Sequence, residues 1–338
     1  QLQMKKKVFI TGISGMVGSH LLDYLVKKTD WQIHGLIRWR SPIENLNLHL
    51  KLINTKTRIF LHYGDIREQH SLDNIIKSIQ PDYVYHLAAQ SYPKTSFDMP
   101  ADTYETNTIG TSNLLESLRR YKKNALIHVC SSSEVFGRVP KDKIPINENC
   151  SFHPASPYAI SKTGTDLIAR FYAEAYKMKI MTTRMFTHTG PRRGDVFAES
   201  SFAKQIAMIE ANMQEPVVFV GNLKSLRTVA DVRDAVHAYY LLLTKNPKAG
   251  EVYNIGGNHT CTVGEILDFL LSKSKKKIIY KVDKNRIRPI DADLQVPDTT
   301  KFKLHTGWEP KYTFEKTMSD LLDYWRVKVK NKKFYLNR

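Results

Sequence analysis

Short apolar runs alternate along the chain with stretches whose apolar positions fall at helical spacing. The runs Lys7–Thr11, Trp31–Ile37, Arg58–Tyr63, Asp82–Leu87, Leu126–Cys130 and Lys179–Phe186 have strand length and strand composition. Between them, helical patterns start at His20, cover Ser71–Ile79 and about Ala101–Arg120, and follow Ser156-Pro157, where a Ser before a Pro marks a helix start. Strand alternating with helix predicts an α/β fold with a doubly wound parallel sheet over residues 4–186. Past residue 186 the alternation continues with shorter pieces. Pro216–Val220, Asn222–Arg227, Glu251–Ile255 and Lys277–Lys281 are followed or preceded by helices over Asp231–Leu243, Val263–Ser272 and around Phe314–Trp325. This part reads as a smaller mixed α/β lobe over 187–338 that holds substrate, with some later segments returning to the first domain.

The first strand runs into Gly12-Ile-Ser-Gly15-Met16-Val17-Gly18 and then an amphipathic helix. Strand, glycine loop and helix in that order predict a Rossmann-type dinucleotide site. Gly12 and Gly15 allow a tight turn and close approach of a pyrophosphate to the helix N-terminus, and Gly18 allows close helix–sheet packing. After the second strand, where an acid would hold a ribose 2′-hydroxyl, the chain reads Arg38-Trp39-Arg40-Ser41. Two arginines suit a 2′-phosphate and favour NADP over NAD. Asp65 and Ile66 follow the third strand as candidate adenine contacts. Leu87, Ala88 and Ala89 end the fourth and leave room for a cofactor.

Chemistry gathers at the end of Leu126–Cys130, which delivers Ser132, Ser133 and Glu134, and at Ser156-Pro-Tyr158-Ala-Ile-Ser-Lys162. Tyr158 and Lys162 are i and i+4 on a helix, so they share a face. A nearby ammonium stabilises a phenolate and makes Tyr158 usable as a base. With the glycine loop, this set resembles the extended short-chain dehydrogenase/reductase family. The resemblance implies that Ser132, Tyr158 and Lys162 are catalytic and that Asn107, inward-facing on its helix, belongs to the cofactor site.

Composition narrows the classes. The 338 residues carry a formal charge of +18, but the lysines are spread along the chain among acids, and no nucleic-acid motif accompanies them. The expectation is a solvated basic surface, with anionic cofactor and substrate as part of the reason for the sign. No run of about 18 apolar residues predicts a membrane span. The start, QLQMKKKVFITG, reads as a strand behind a short remnant, not a signal peptide. Cys130, Cys150 and Cys261 are few, odd in number and far apart, which fits a reducing cytosol and no metal site.

The stretches HYGDIREQHSLDNIIKSIQPDYVYHLAAQSYPKTSF, CSSSEVFG, SPYAISK, GPRRGDVF, GNLKSLRT and RPID, in this order, resemble the GDP-mannose 4,6-dehydratase group of sugar-nucleotide enzymes. The resemblance implies a GDP-sugar substrate and a cytoplasmic homo-oligomer, dimer or tetramer. It also implies Glu134 as the base of the dehydration and Ser91, Ser133 and Thr187 at the sugar. Arg227 and Arg288 fall to the diphosphate, with Asp291 at the ribose. Thr187-His188-Thr189 stands where mannose enzymes have Asn-His-Glu, and Ala198 and Ser201 replace a Val and a Lys. With SYPKTSF, SSSEV and RPIDAD, the chain most resembles the GDP-D-glycero-α-D-manno-heptose 4,6-dehydratases of bacterial polysaccharide pathways. A mannose dehydratase, a 4-reductase or epimerase of the same fold, and a non-catalytic NADP-binding scaffold stay open as alternatives.

Overall fold

The computed structural model describes residues 4–332. Residues 1–3 of the N-terminal segment and residues 333–338 at the end of the expected second lobe lie outside the described residues. Chain order runs β1 (Lys7–Thr11), α1 (Met16–Lys28), β2 (Gln32–Ile37), α2 (Leu50–Asn54), β3 (Ile59–Tyr63), α3 (Gln69–Ile79), β4 (Tyr83–His86), α4 (Pro93–Asp98), α5 (Pro100–Tyr104), α6 (Gly110–Tyr121), β5 (Leu126–Cys130), α7 (Pro157–Tyr176) and β6 (Lys179–Met185). The second half adds β7 (His188–Thr189), α8 (Ala198–Glu210), β8 (Val217–Val220), β9 (Leu226–Asp231), α9 (Val232–Thr244), β10 (Val252–Ile255), β11 (His259–Thr262), α10 (Val263–Ser272), β12 (Ile279–Val282), β13 (Leu294–Gln295), α11 (Thr300–Thr306) and α12 (Phe314–Lys330).

Among the described residues the main sheet has seven strands in the order β10-β6-β5-β4-β1-β2-β3, every pair parallel. Strand order reverses between β1 and β4, and a doubly wound sheet opens a crevice at the carboxyl ends of such a pair. Both faces are covered, which is why the strands read as continuous apolar runs. One core cluster joins Leu21, Leu22 and Leu25 of α1 to Tyr239 and Leu242 of α9. The other joins Leu72 and Ile76 of α3, Leu114 and Leu118 of α6, and Ala169 and Ala173 of α7. β10 and α9 come from beyond residue 186, so the later chain does return to the first sheet. The remaining lobe packs α8, α10 and α12 around Phe202, Leu267, Leu321 and Trp325, beside a sheet β11-β9-β13 with β7 on β9 and a β8–β12 pair.

Two local features differ from the sequence pattern. The single helix expected over Ala101–Arg120 is broken: α5 passes through a π turn, Glu105–Ile109, into α6. A π turn displaces a carbonyl from the regular ladder. Here the carbonyl of Asn107 is taken up by the hydroxyls of Thr111 (2.6 Å) and Thr165 (2.8 Å). Of the apolar positions Ile160, Leu167, Ile168 and Phe171, whose helical spacing announces α7, only Ile168 packs against the core. Ile160, Leu167 and Phe171 are 49%, 51% and 54% exposed, while the buried face carries Ala159, Ser161, Thr165, Ala169 and Ala173. Small side chains let α7 approach the sheet and the π turn closely; a Cβ on Gly164 would come within 2.8 Å of Thr108.

Candidate active site

The carboxyl ends of the main strands and the smaller lobe enclose a cleft of about 1010 Å³. β1 leads into it through Gly12, at φ +72°, where a Cβ would sit 2.8 Å from the backbone N of Ala88. A Cβ on Gly18 would sit 2.0 Å from the Gly12 carbonyl oxygen, so only glycine lets α1 start this close to the strand. Gly15, Met16 and Val17 at the start of α1 line the cleft, with backbone N–H groups suited to a pyrophosphate. Leu87, Ala88 and Ala89 form the facing wall.

That wall is fixed by a chain of hydrogen bonds whose direction can be worked out. The Thr11 hydroxyl oxygen accepts from the N–H of Leu87 (3.0 Å) and of Ala88 (3.1 Å), so its own proton goes to His86 Nδ1 at 2.8 Å. His86 therefore carries its proton on Nε2 and donates it to Thr111, 2.9 Å away. Burial holds this imidazole neutral, at about 3. Asn107 closes the arrangement. Its Oδ1 accepts from the Gln90 N–H (2.8 Å), and its Nδ2 donates to the Gln90 carbonyl (3.0 Å) and to Ser161 (2.9 Å).

Beyond β2 and β3, Arg38, Asp65 and Ile66 line the cleft, whereas Arg40 is not among the lining residues. The Asp65 carboxylate is bound by the side chain and the N–H of Arg67, which hold it below the usual carboxylate range. Asn107 does not line the cleft either; it braces the wall from behind.

At the other end, Ser132, Ser133, Glu134, Tyr158 and Lys162 all line one stretch of wall. Ser132 follows β5 and caps the turn Ser133–Val135 by accepting from the Glu134 N–H at 3.1 Å. Ser156 caps α7 by accepting from the Ala159 N–H at 2.9 Å, which sets Tyr158 on its first turn. Burial pushes the Tyr158 phenol up; a hydrogen bond with Ser132 and the charge of Arg193 oppose the rise. Lys162, lowered by burial, donates to the Cys130 carbonyl at 2.9 Å.

The smaller lobe supplies Arg227, Arg288 and Asp291. Asp291 lies 3.4 Å from both guanidinium groups and accepts from Ser225 at 2.8 Å. Burial would raise this carboxyl, but the two arginines, together with hydrogen bonds from Ser225 and Asn222, hold it below its ordinary value. Ser91 and Thr187 line the same region, as do Ala198 and Ser201; Ser201 accepts from Arg286 at 3.0 Å. Thr189 is fully buried on β7 and does not reach the cleft. Two residues not singled out from the sequence enter the site. Arg193 stacks over Phe197, 3.2 Å from the ring centroid, and pairs with Glu199 at 3.3 Å. Gln295 accepts from Ser133 at 2.5 Å. Arg193 lies inside the GPRRGDVF stretch and could have been found there; nothing in the sequence marks Gln295. Among the described residues no cluster of His, Cys, Asp or Glu is placed to hold a metal ion.

Residues 9–321 match the family model described as GDP-mannose 4,6 dehydratase. The chain is 32% identical to the GDP-mannose 4,6 dehydratase of Drosophila melanogaster, over 94% of this chain and 85% of the relative. It is 30% identical to the GDP-6-deoxy-D-mannose reductase of Pseudomonas aeruginosa, over 97% and 99%. The solved structure of RMD from Pseudomonas aeruginosa complexed with NADPH superposes with a TM-score of 0.81 at 28% identity, covering 96% of this chain and 100% of that one.

Proposed function

Since the chain belongs to the GDP-mannose 4,6-dehydratase family of hydro-lyases, we propose that it is an NADP-dependent dehydratase of a GDP-manno-configured sugar. GDP-D-glycero-α-D-manno-heptose is the favoured substrate. The observation that carries this reading is Glu134 on the cleft wall beside Ser132 and Tyr158. A 4-reductase of the same fold needs the Ser, Tyr and Lys but no carboxylate for C5.

The residues present fit the cofactor. Gly12, Gly15 and Gly18 leave space that side chains would fill, the first turn of α1 presents N–H groups to a pyrophosphate, and Arg38 suits a 2′-phosphate. NADP bound there supplies the hydride acceptor and, later, the donor. Tyr158, bonded to Ser132, takes the proton of the sugar 4-hydroxyl as C4 becomes a ketone. The ketone acidifies C5–H, and a carboxylate then suffices as base. Glu134 takes that proton and returns it to the departing 6-hydroxyl, which leaves as water. Arg227 and Arg288 hold the diphosphate, with Asp291 on the ribose.

Thr187 and Ala198 present small side chains to the cleft, which leaves room for the extra CH–OH of a heptose. The outward apolar face of Ile160, Leu167 and Phe171 supports a homo-oligomer, since lone chains rarely leave such a stripe in water. The deciding experiment is side-by-side kinetics with GDP-mannose and the GDP-heptose, with mass spectrometry for loss of water. A preference of about tenfold or more for the heptose is expected. A clear preference for the hexose removes the heptose assignment. With Glu134→Gln, reduced nicotinamide should appear by absorbance without 6-deoxy product; product at the wild-type rate excludes Glu134 as the base.

A further inference from the structure

Glu134 sits on a single short turn, Ser133–Val135, and not within a strand or long helix. Such a turn does little by itself to fix where a carboxylate points, and catalytic groups need support from their neighbours. Here that support arrives from the other lobe. Ser133 donates from Oγ to Oε1 of Gln295 at 2.5 Å, across 162 residues of sequence. Arg288 Nη1 stands 3.9 Å from Glu134 Oε1. Gln295 lies on β13 in register with Arg227 of β9 and is only 2% exposed.

The other end of the Gln295 amide, Nε2, is buried and meets no acceptor among the described residues. Leaving a buried donor unmatched costs on the order of 1–3 kcal/mol. Stability alone would thus favour an apolar side chain at this place. What the glutamine provides is the bond to Ser133.

We propose that Gln295 is a positioning residue for the elimination: from the substrate lobe it holds Ser133 and so aims the Glu134 carboxylate at C5 of the sugar. This rests on the dehydratase reading of Glu134. In the step concerned, the carboxylate takes the C5 proton and the C5–H electron pair becomes the C5–C6 double bond. The C6–O bond breaks with its electrons on oxygen, which regains the proton from Glu134 and leaves as water. The segment that carries Gln295 also carries Arg288 and Asp291. Seating of the nucleotide and aim of the base therefore share one support.

The test uses Gln295→Met, which keeps the length and removes the acceptor, together with Ser133→Ala and the double variant, on the sugar nucleotide that the wild type dehydrates. Three quantities are read: 6-deoxy product, exchange of the C5 hydrogen in D2O, and the absorbance of reduced nicotinamide, which reports oxidation at C4. A misplaced base should cost about 10- to 100-fold in product and in C5 exchange. In Gln295→Met, C4 oxidation should stay within about twofold, which also shows that this variant is folded. The double variant should be no slower than Ser133→Ala alone, because both changes cut the same contact. Product formation by Gln295→Met within about twofold of wild type overturns the proposal. So does a parallel loss of C4 oxidation in Gln295→Met, or additivity in the double variant. A wild type that releases no water from any GDP-sugar overturns the dehydratase reading, and this proposal with it.

Discussion

Burial pushes the Tyr158 phenol above its ordinary value, and the Ser132 hydroxyl and the Arg193 guanidinium push back. A base whose pKa lies above the working pH is mostly protonated, so C4 oxidation should accelerate as pH rises from 7. Removing the positive charge of Arg193 raises the phenol further. Arg193→Leu is expected to lower the rate at pH 7 on the order of tenfold and to move the basic limb of the pH profile upward. An unmoved limb would show that Arg193 serves only Phe197 and Glu199. Part of this site was legible in the sequence: Tyr158 with Lys162 is set by spacing on one helix, whereas Ser132 and Glu134 reach the cleft wall from a short 3-10 turn that the alternation of residues does not announce. Gln295 was not, because its partner is 162 residues away and no spacing rule links them. The absence of Arg40 from the cleft lining and the burial of Thr189 depend on loop and strand placement that the sequence does not spell out.

Helix α7 shows why a correct element can be read from the wrong face. Its period announces a helix, but Tyr158 and Lys162 look into the cleft, and small residues (Ala159, Ser161, Gly164, Thr165) sit where α7 meets the sheet and the π turn most closely. Ile160, Leu167 and Phe171 are left outside, while Ile168 and Tyr172 join the core. Ile109 in the π turn, next to Thr108, is likewise half exposed, and Thr108 bonds the Ser161 carbonyl at 2.9 Å, which ties the two elements together. If this outer face joins copies of the chain, a charge in its middle should separate them. Leu167→Asp is expected to reduce the sedimenting mass while leaving the circular dichroism of the fold intact, since Leu167 touches no core cluster. An unchanged mass, in a wild type that is an oligomer, places the interface elsewhere. The break at Asn107 had no signal in the helical pattern. What imposes it is tertiary: the hydroxyls of Thr111 and Thr165 accommodate a carbonyl that a regular helix would keep to itself.

For the molecule as a whole, the arrangement that builds the cleft also fixes how it responds to acid. His86 and His128 lie on adjacent strands of the main sheet, fully buried, and each is held neutral at about 3. For His86 the causes are burial and then the charge of Lys162; for His128, burial, then His86, then Lys162. In the unfolded chain an imidazole titrates near 6.5. Between these values the unfolded state binds a proton at each position that the folded state refuses. The stability from these two groups is thus fully present above about pH 6.5 and is lost as pH falls toward about 3. At pH 5 each imidazole removes about 2 kcal/mol, and the pair about 4, from a total that is commonly 5–15 kcal/mol. Most carboxylates are still ionised at that pH, so the loss precedes ordinary acid unfolding. Urea denaturation at pH 7, 6 and 5 should show the midpoint falling at each step, while the slope with denaturant stays the same. In the native protein, nitrogen NMR of the imidazoles should find both rings neutral throughout. A midpoint that holds level from pH 7 to pH 5, or a His86 ring that takes up a second proton near pH 6 with the fold intact, would show that the Thr11–His86–Thr111 chain does not fix the wall formed by Leu87, Ala88 and Ala89.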